Sequence, residues 1–425
     1  MTTVYLKTGK KVSQTLQEEE LQEKVKEIIR EVQNGGNGVV IELTKRFDRV
    51  ERPNLLVGKE EREKAWEKVP STVVQDLRFA AENIHKFAQA QRSMFKDQEM
   101  EITPGLFVGH HVIPVENVGV YVPGGRYPLI STVLHGIIPA KVAGVKRIVA
   151  CSPPSKEASL NPFMLVAMDI AGADEVYAVG GAQAIALMAY GTESISPVDL
   201  IVGPGNAFVT EAKRQVFGQV GIDALAGPSE MLLIADREAN PQLVAADLLA
   251  QVEHDPLSQA VLVTTSESLA QRALKVLKEE LDILDNDIAR STWENNGQVI
   301  LVSDLAEAVR VANEFAPEHL ALHLKDWEEI LPSLHNYGSL FLGEKAAVVF
   351  GDYVSGSNHI LPTMGTARFA NGLWVGTFLK TCTYQRIDKD AEITLAPIAE
   401  RLAELEGLHA HARSAQLRFK VHNSG

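Results

Sequence analysis

Residues 118–151, VGVYVPGGRYPLISTVLHGIIPAKVAGVKRIVAC, set two short β-rich runs, VGVYV and RIVAC, on either side of the helical STVLHGIIPAKVAGV. The alternation continues through NPFMLVAMDIAG, EVYAVGG, AQAIALMAYG, DLIVGPG and NAFVTEAKRQVFG. Strand and helix in repeated order imply parallel strands joined by crossover helices, since parallel neighbours need a long connection. A second series runs from MLLIAD through AADLLAQVEHDP to AVLVTT, QVILVS and GSLFLG. The expected fold is therefore α/β: two doubly wound, Rossmann-like lobes with loops gathered at the strand carboxyl ends. Upstream, QTLQEEELQEKVKEIIREVQ keeps a helical apolar period and is expected to stop at NGGNG. The chain thus divides into an N-terminal arm (1–24), a first lobe (25–121 with 229–375), a second lobe (122–228) and a helical tail (376–425). The tail has little of its own to bury against and is expected to pack on a neighbour or a partner subunit.

At 425 residues, 45% hydrophobic and 23% charged, the chain has the composition of a globular enzyme with room for two or three domains. Its formal charge of -14 argues against nucleic acid or an anionic membrane as the main partner, because phosphate groups require a positive surface. Only Cys151 and Cys382 are present, in no metal-binding or redox spacing, which disfavours a disulfide scaffold and a Cys-rich zinc site. MTTVYLKTGKKVSQ lacks the apolar stretch of a secretory signal, and no apolar run reaches the roughly 18–20 residues of a membrane span. A soluble, cytoplasmic protein is expected.

Three strand ends carry Gly-rich turns, VPGGRY, AVGGAQ and VGPGNA, with Tyr121, Gln183 and Asn206 at or beside them. Glycine lets a backbone approach a phosphate at a helix N-terminus, but it also serves any tight βα turn. None is a full G-x-G-x-x-G, so a dinucleotide crevice and a purely structural role both remain open. In AADLLAQVEHDP, residues 245–256, Leu248, Leu249 and Val252 continue an apolar stripe along whose border Asp247, Gln251 and His254 fall at i, i+4 and i+7. Those polar groups either face a cleft or form a solvated flank. In FAPEHLALH, Pro317 suits the first turn of a helix, which would set Glu318 and His319 beside a positive dipole end. An ionised Glu and a neutral His side by side can serve as two general bases; the alternative is a capping Glu with a surface His.

The segments GVYVPGG, IPAKVAGV, GGAQAIA, VGPGNAFVTEAKRQVFG, AGPSE, ADLLAQVEHD, FAPEHL, GDYVSGSNHILPTMGTARF and LEGLHAHARSAQLR are together highly specific. Over nearly its whole length the chain resembles the histidinol dehydrogenase family. The resemblance implies a homodimeric enzyme with one zinc ion per active site, using two NAD in turn to take a primary alcohol through an aldehyde to a carboxylate. It further implies Gln251, His254 and Asp352 as zinc ligands, with His411 as the fourth, contributed by the other subunit's tail. His409 competes with His411 on spacing, and only the match to LEGL-x-AH prefers the latter. On the same basis Glu318 and His319 are the catalytic bases, and Ser229 and Glu406 contact substrate. Tyr121, Gln183 and Asn206 contact NAD, and His359 in SNHILPT is a candidate for the substrate site. A mixed nitrogen and oxygen donor set suits Zn²⁺, with Mn²⁺ or Co²⁺ as substitutes.

Where histidine-forming relatives carry other residues, this chain has Ala88, Arg126, Tyr127, His135 and Trp374. GGRY, ACSPP, FGQVGID, YGSLFLGE and YQR resemble the branch that oxidises a sulfonated propanediol. Arg126 would repel a cationic histidinol and hold a sulfonate by bidentate hydrogen bonds, or else pair with the NAD pyrophosphate. Because AGPSE, APEHL and all four implied ligands are present, L-histidinol, and with it histidine biosynthesis, is the leading expectation. The sulfonated diol is the alternative, and a non-catalytic α/β binding protein is the remote one.

Overall fold

The structure is a computed structural model that describes residues 4–9, 15–124 and 128–423, with side chains left aside at 15–18 and 420–423. It separates into two compact units, Met1–Ala90 with Val115–Phe378, and Gln91–Pro114 with Leu379–Gly425. The strands in chain order are β1 (Val4–Lys7), β2 (Gln98–Thr103), β3 (Leu106–Pro114), β4 (Asn117–Tyr121) and β5 (Arg147–Ser152). They continue with β6 (Glu175–Ala178), β7 (Leu200–Val202), β8 (Gly221–Ile222), β9 (Glu230–Ala235) and β10 (Gln259–Thr264). The last are β11 (Gln298–Leu301), β12 (His319–His323), β13 (Ser339–Leu342) and β14 (Leu379–Ile387).

Within the first unit lie two sheets, as the two alternating series require. One is five-stranded and parallel in the order β6-β5-β4-β7-β8. Its strand order reverses between β4 and β7, the position at which open α/β sheets form a ligand crevice. The other is six-stranded, β1-β11-β10-β9-β12-β13, parallel except for β1, which the N-terminal arm adds antiparallel along β11. β9 (EMLLIA) and β12 (HLALH) are buried at every residue, because helices cover both faces of a parallel sheet. Each buried Leu or Ile there stabilises the fold by about 1.5–3 kcal/mol, and the apolar residues of β9 divide between two clusters, with Leu233 on one face and Leu232 and Ile234 on the other.

Three boundaries differ from the sequence reading. Helix formation does break in NGGNG, at Gly36 with φ 59°, but a second helix resumes and runs to Asp48. Val25, Ile28, Ile29, Val32, Val40 and Leu43 of this pair join the core of the five-stranded sheet rather than the lobe holding 229–375. β4 also belongs to that sheet, so the division at residue 121 falls at a strand end. The second unit is not a helical tail alone: β14 pairs with β3 over nine residues, and β3 with β2, in an antiparallel sheet. LKTCTYQRI is rich in β-branched and aromatic residues, Thr381, Thr383, Tyr384 and Ile387, which favours strand over helix. Helices Lys389–Leu405 and His409–Asn423 follow it. Among the described residues no helix is long and apolar enough to cross a membrane.

Candidate active site

The two expected bases sit at the amino ends of the six-stranded sheet. Pro317 does not open a helix here. The helix Leu305–Phe315 ends at Ala316 in the left-handed conformation (φ 50°), and the chain then enters β12, where His319 pairs with Met231 of β9 and Ser339 of β13. Pro317 therefore sets no helix start beside Glu318 and His319; burial acts on them, since the pair is 6% and 5% exposed. Burial pushes the Glu318 carboxyl up to about 8, and the charge of Asp352 adds to it, against the Ser229 hydroxyl and the Glu230 N–H that hold it down. Burial thus works against the ionised Glu318 that the sequence suggests, and the two donors on Oε2 work for it. The His319 imidazole is lowered by burial, against Asp352 and the Glu230 carbonyl, and stays neutral as expected.

A short hydrogen-bond chain links these groups. Gln251 Nε2 donates to Ser229 Oγ (2.8 Å), and Ser229 Oγ donates to Glu318 Oε2 (2.6 Å), which also accepts the Glu230 N–H (3.0 Å). His319 Nδ1 lies 3.3 Å from the Glu230 carbonyl oxygen, while His319 Nε2 is buried with no hydrogen-bond partner. A carbonyl can only accept, so Nδ1 carries the proton and Nε2 presents a lone pair.

Gln251 lies near the end of the helix Pro241–Val252, whose first turn is capped by Asn240; His254 follows just past its last residue and is exposed. Asp247 turns away to His323 (3.0 Å), so the polar border seen in the sequence serves two purposes. The helix Val348–Tyr353 carries Asp352, and His359 follows with Nδ1 3.8 Å from Asp352 Oδ1 and Nε2 3.1 Å from Thr132 Oγ1. Desolvation lowers His254, with the His319 charge adding to it, and it lowers His359 further, helped by His135, His319 and His254. Ser229, Gln251, His254, Glu318, His319, Asp352 and His359 are therefore electrostatic or hydrogen-bonded neighbours.

Gln251 has its amide hydrogen-bonded and its carbonyl oxygen left over, so the group offers one amide oxygen, one imidazole and one carboxylate to a cation. That chemistry fits Zn²⁺. Among the described residues no three His, Cys, Asp or Glu side chains form a metal-holding group, so a four-donor shell requires a donor beyond this set.

Tyr121 closes β4 and Gly203 follows β7, so both lie at the switch point of the five-stranded sheet. A Cβ at Gly203 would overlap the Tyr121 carbonyl oxygen, and its φ of 114° likewise demands glycine. The buried Lys213 donates to the Gly203 carbonyl (2.9 Å) and pairs with Asp223, which in turn accepts the Gly203 N–H (2.8 Å). That turn is rigid by construction. Tyr121 Oη accepts the Gly181 N–H (3.1 Å), and Gln183 in the first turn of the helix Gly181–Tyr190 keeps a buried, unpartnered Nε2. Asn206 caps the helix Ala207–Val216 through the Phe208 and Val209 N–H groups, which is a structural task whether or not its amide meets a ligand. Arg126 and Tyr127 lie outside the described residues.

In the second unit, Glu406 ends the helix Lys389–Leu405, and His411 lies in the next helix; both are exposed. His409 Nδ1 is engaged by Glu404 (3.0 Å). Sequence reasoning passed over Glu230, although a carboxyl opening the otherwise apolar EMLLIA was a visible signal. It also gave no place to Thr132, which nothing in ISTVL distinguishes from an ordinary helix residue.

The family model, relatives and solved structure that match this chain are named as dehydrogenases, and this chain is a dehydrogenase built on parallel α/β sheets. It belongs to the histidinol dehydrogenase family, whose model matches residues 11–419. The histidinol dehydrogenase of Methanothermobacter thermautotrophicus is 47% identical over 93% of each chain. The sulfopropanediol 3-dehydrogenase of Ruegeria pomeroyi is 40% identical over 99% of this chain and 97% of its own. The crystal structure of histidinol dehydrogenase from Elizabethkingia anophelis superposes with a TM-score of 0.92, at 37% identity, covering 98% of this chain and 95% of that one.

Proposed function

We propose that the chain oxidises a primary alcohol to a carboxylate in two NAD-dependent steps through a bound aldehyde, with L-histidinol as the alcohol and histidine as the product. The observation that carries this reading is the pair of buried bases at one strand start, Glu318 tied to Ser229 and Gln251, and His319 with a free Nε2. His319 Nε2 takes the hydroxyl proton as hydride leaves the carbinol carbon, its other nitrogen pinned by the Glu230 carbonyl. Glu318, once ionised, accepts a proton from the water that adds to the aldehyde. His319, once it has released its first proton to solvent, takes a hydroxyl proton of the hydrated aldehyde while the second hydride leaves for a second NAD. NAD supplies the hydride acceptor when bound, at the turns carrying Tyr121, Gln183 and Asn206. Gln251, His254, Asp352 and His411 of the partner subunit would hold a zinc ion, which would supply a positive anchor for the alcohol.

The relative named for a sulfonated diol, together with Arg126, supports a second substrate reading. Purified protein should form two NADH per L-histidinol consumed and leave 2,3-dihydroxypropane-1-sulfonate untouched. The reverse preference would replace the substrate and keep the reaction class. Under that outcome Arg126→Ala should abolish turnover of the anionic diol and leave NAD affinity nearly unchanged.

A homodimer with shared sites is part of the same proposal. Val349, Phe350, Tyr353 and Val354 are exposed around Asp352, an apolar collar of the kind that a protein partner covers. In the second unit, Ile398, Leu402, Leu405 and Leu408 are exposed beside Glu406 and His411. Mixing inactive His411→Ala chains with inactive His319→Asn chains should restore activity, because one site of each heterodimer then receives both intact halves. Verified subunit exchange without recovery would assign the tail to its own chain's site. The two cysteines, Cys151 buried and Cys382 exposed, are both free, which supports a cytoplasmic setting.

A further inference from the structure

Glu230 touches both bases, and the scheme above leaves its side chain unused. Its N–H donates to Glu318 Oε2 (3.0 Å) and its carbonyl oxygen lies against His319 Nδ1 (3.3 Å). Its carboxyl, in a residue 4% exposed, accepts the Gly365 N–H at 3.4 Å, and the Met364 and Glu318 N–H groups face it as well. Met364 and Gly365 both take left-handed backbone, φ 57° and 69°. A methionine held there costs about 1–3 kcal/mol, and such a conformation persists only where its surroundings enforce it. The other end of that turn is tied by Thr363 Oγ1, which accepts the Gly227 N–H (2.6 Å) just upstream of Ser229. The turn at 363–366, the segment 227–230 and the two bases thus form one closed set of hydrogen bonds. Burial alone would select an apolar side chain at this position, as at Met231–Ala235, since burying a carboxyl is costly unless its bonds are made.

We propose that Glu230 is a positioning residue for the oxidation: its carboxyl pins the 363–366 turn so that its own peptide group holds Glu318 and His319 in register. This rests on the reading of Glu318 and His319 as the bases. Misplacing a reacting group by about 1 Å costs on the order of 100-fold. Glu230→Leu should therefore lower kcat about 100-fold in both half-reactions, with KM for the alcohol, zinc content and Tm close to those of the parent. Glu230→Gln, which keeps an oxygen for the Gly365 N–H, should recover most of that loss. The charged groups facing this carboxyl are Glu318 and, beyond it, Asp352, with the neutral His319 alongside. Removing one carboxyl from a facing pair favours ionisation of the other, so the rising pH limb of aldehyde oxidation should move to lower pH in both variants.

Parent-like kcat in Glu230→Leu would overturn the proposal, as would a loss that Glu230→Gln fails to recover. If Glu230→Leu does not fold, the position of the pH limb in Glu230→Gln decides. Full activity of His319→Asn and Glu318→Gln would instead overturn the base reading itself, which separates the two failures.

Discussion

His319→Asn is expected to slow alcohol oxidation and aldehyde oxidation alike, by about 1,000-fold, or roughly 4 kcal/mol of transition-state stabilisation. The expectation follows from one atom. His319 Nε2 is the buried nitrogen left without a partner while Nδ1 is committed to the Glu230 carbonyl, so no second tautomer offers an equivalent base. Asparagine keeps a polar atom near the Nδ1 position and cannot accept and release a proton near neutral pH. Both half-reactions suffer because each begins by removing a proton from a hydroxyl, first of the alcohol and then of the hydrated aldehyde. Glu318→Gln is expected to differ, impairing aldehyde oxidation more than alcohol oxidation. The parent's aldehyde step should gain rate as pH rises through about 8, because a carboxyl raised to that value ionises across that range. That limb should vanish in Glu318→Gln. Single-turnover kinetics on each half-reaction would read the difference, and equal losses in both steps for Glu318→Gln would contradict the division of labour.

The second large effect concerns metal. The purified protein should hold about one Zn²⁺ per chain, and His254→Ala or Asp352→Ala should weaken it by more than about 100-fold. His254 is the one imidazole in the donor set of the first unit, and its lowered basicity keeps a lone pair available at neutral pH. Asp352 is the one carboxylate. Gln251→Ala would also remove the donor to Ser229 Oγ, so its consequences should reach Glu318 and exceed those of metal loss alone. Metal analysis after dialysis against a mild chelator checks each variant, and a His254→Ala protein retaining tight zinc would refute the ligand assignment.

How much of this was legible beforehand depends on the range of the interaction involved. The β-α alternation from VGVYV to NAFVTEAKRQVFG is a local signal repeated many times, and it specifies parallel sheets whatever the details. The environment of Glu318 and His319 is not local. Pro317 carries a helix-start signature, but pairing of β12 with β9 and β13 overrides it, as tertiary pairing overrides propensity in a short apolar run. The expected environment of Glu318 changes with it, because a dipole and a buried strand start move a carboxyl in opposite directions. The sheet of β2, β3 and β14 was hidden for a similar reason: β2 and β3 are neighbours in sequence, but the strand that completes their sheet, β14, lies far along the chain. Gln251 and His254 were visible as a polar border, whereas their convergence with Asp352, about a hundred residues away, was available through family likeness alone.

The opposite placement of the two groups of functional residues has a further consequence. Ser229, Glu318 and His319 stand where β9 and β12 begin, whereas Tyr121 and the Gly203 turn stand where β4 and β7 finish. On the proposed assignment the two groups belong to different sheets and meet where Thr132, on the helix Ile130–Ala143 after the first glycine turn, touches His359. If these are the base and NAD sites, side chains around the start of β9 and β12 can be altered to suit another alcohol with the Lys213–Asp223 brace of the Gly203 turn left in place.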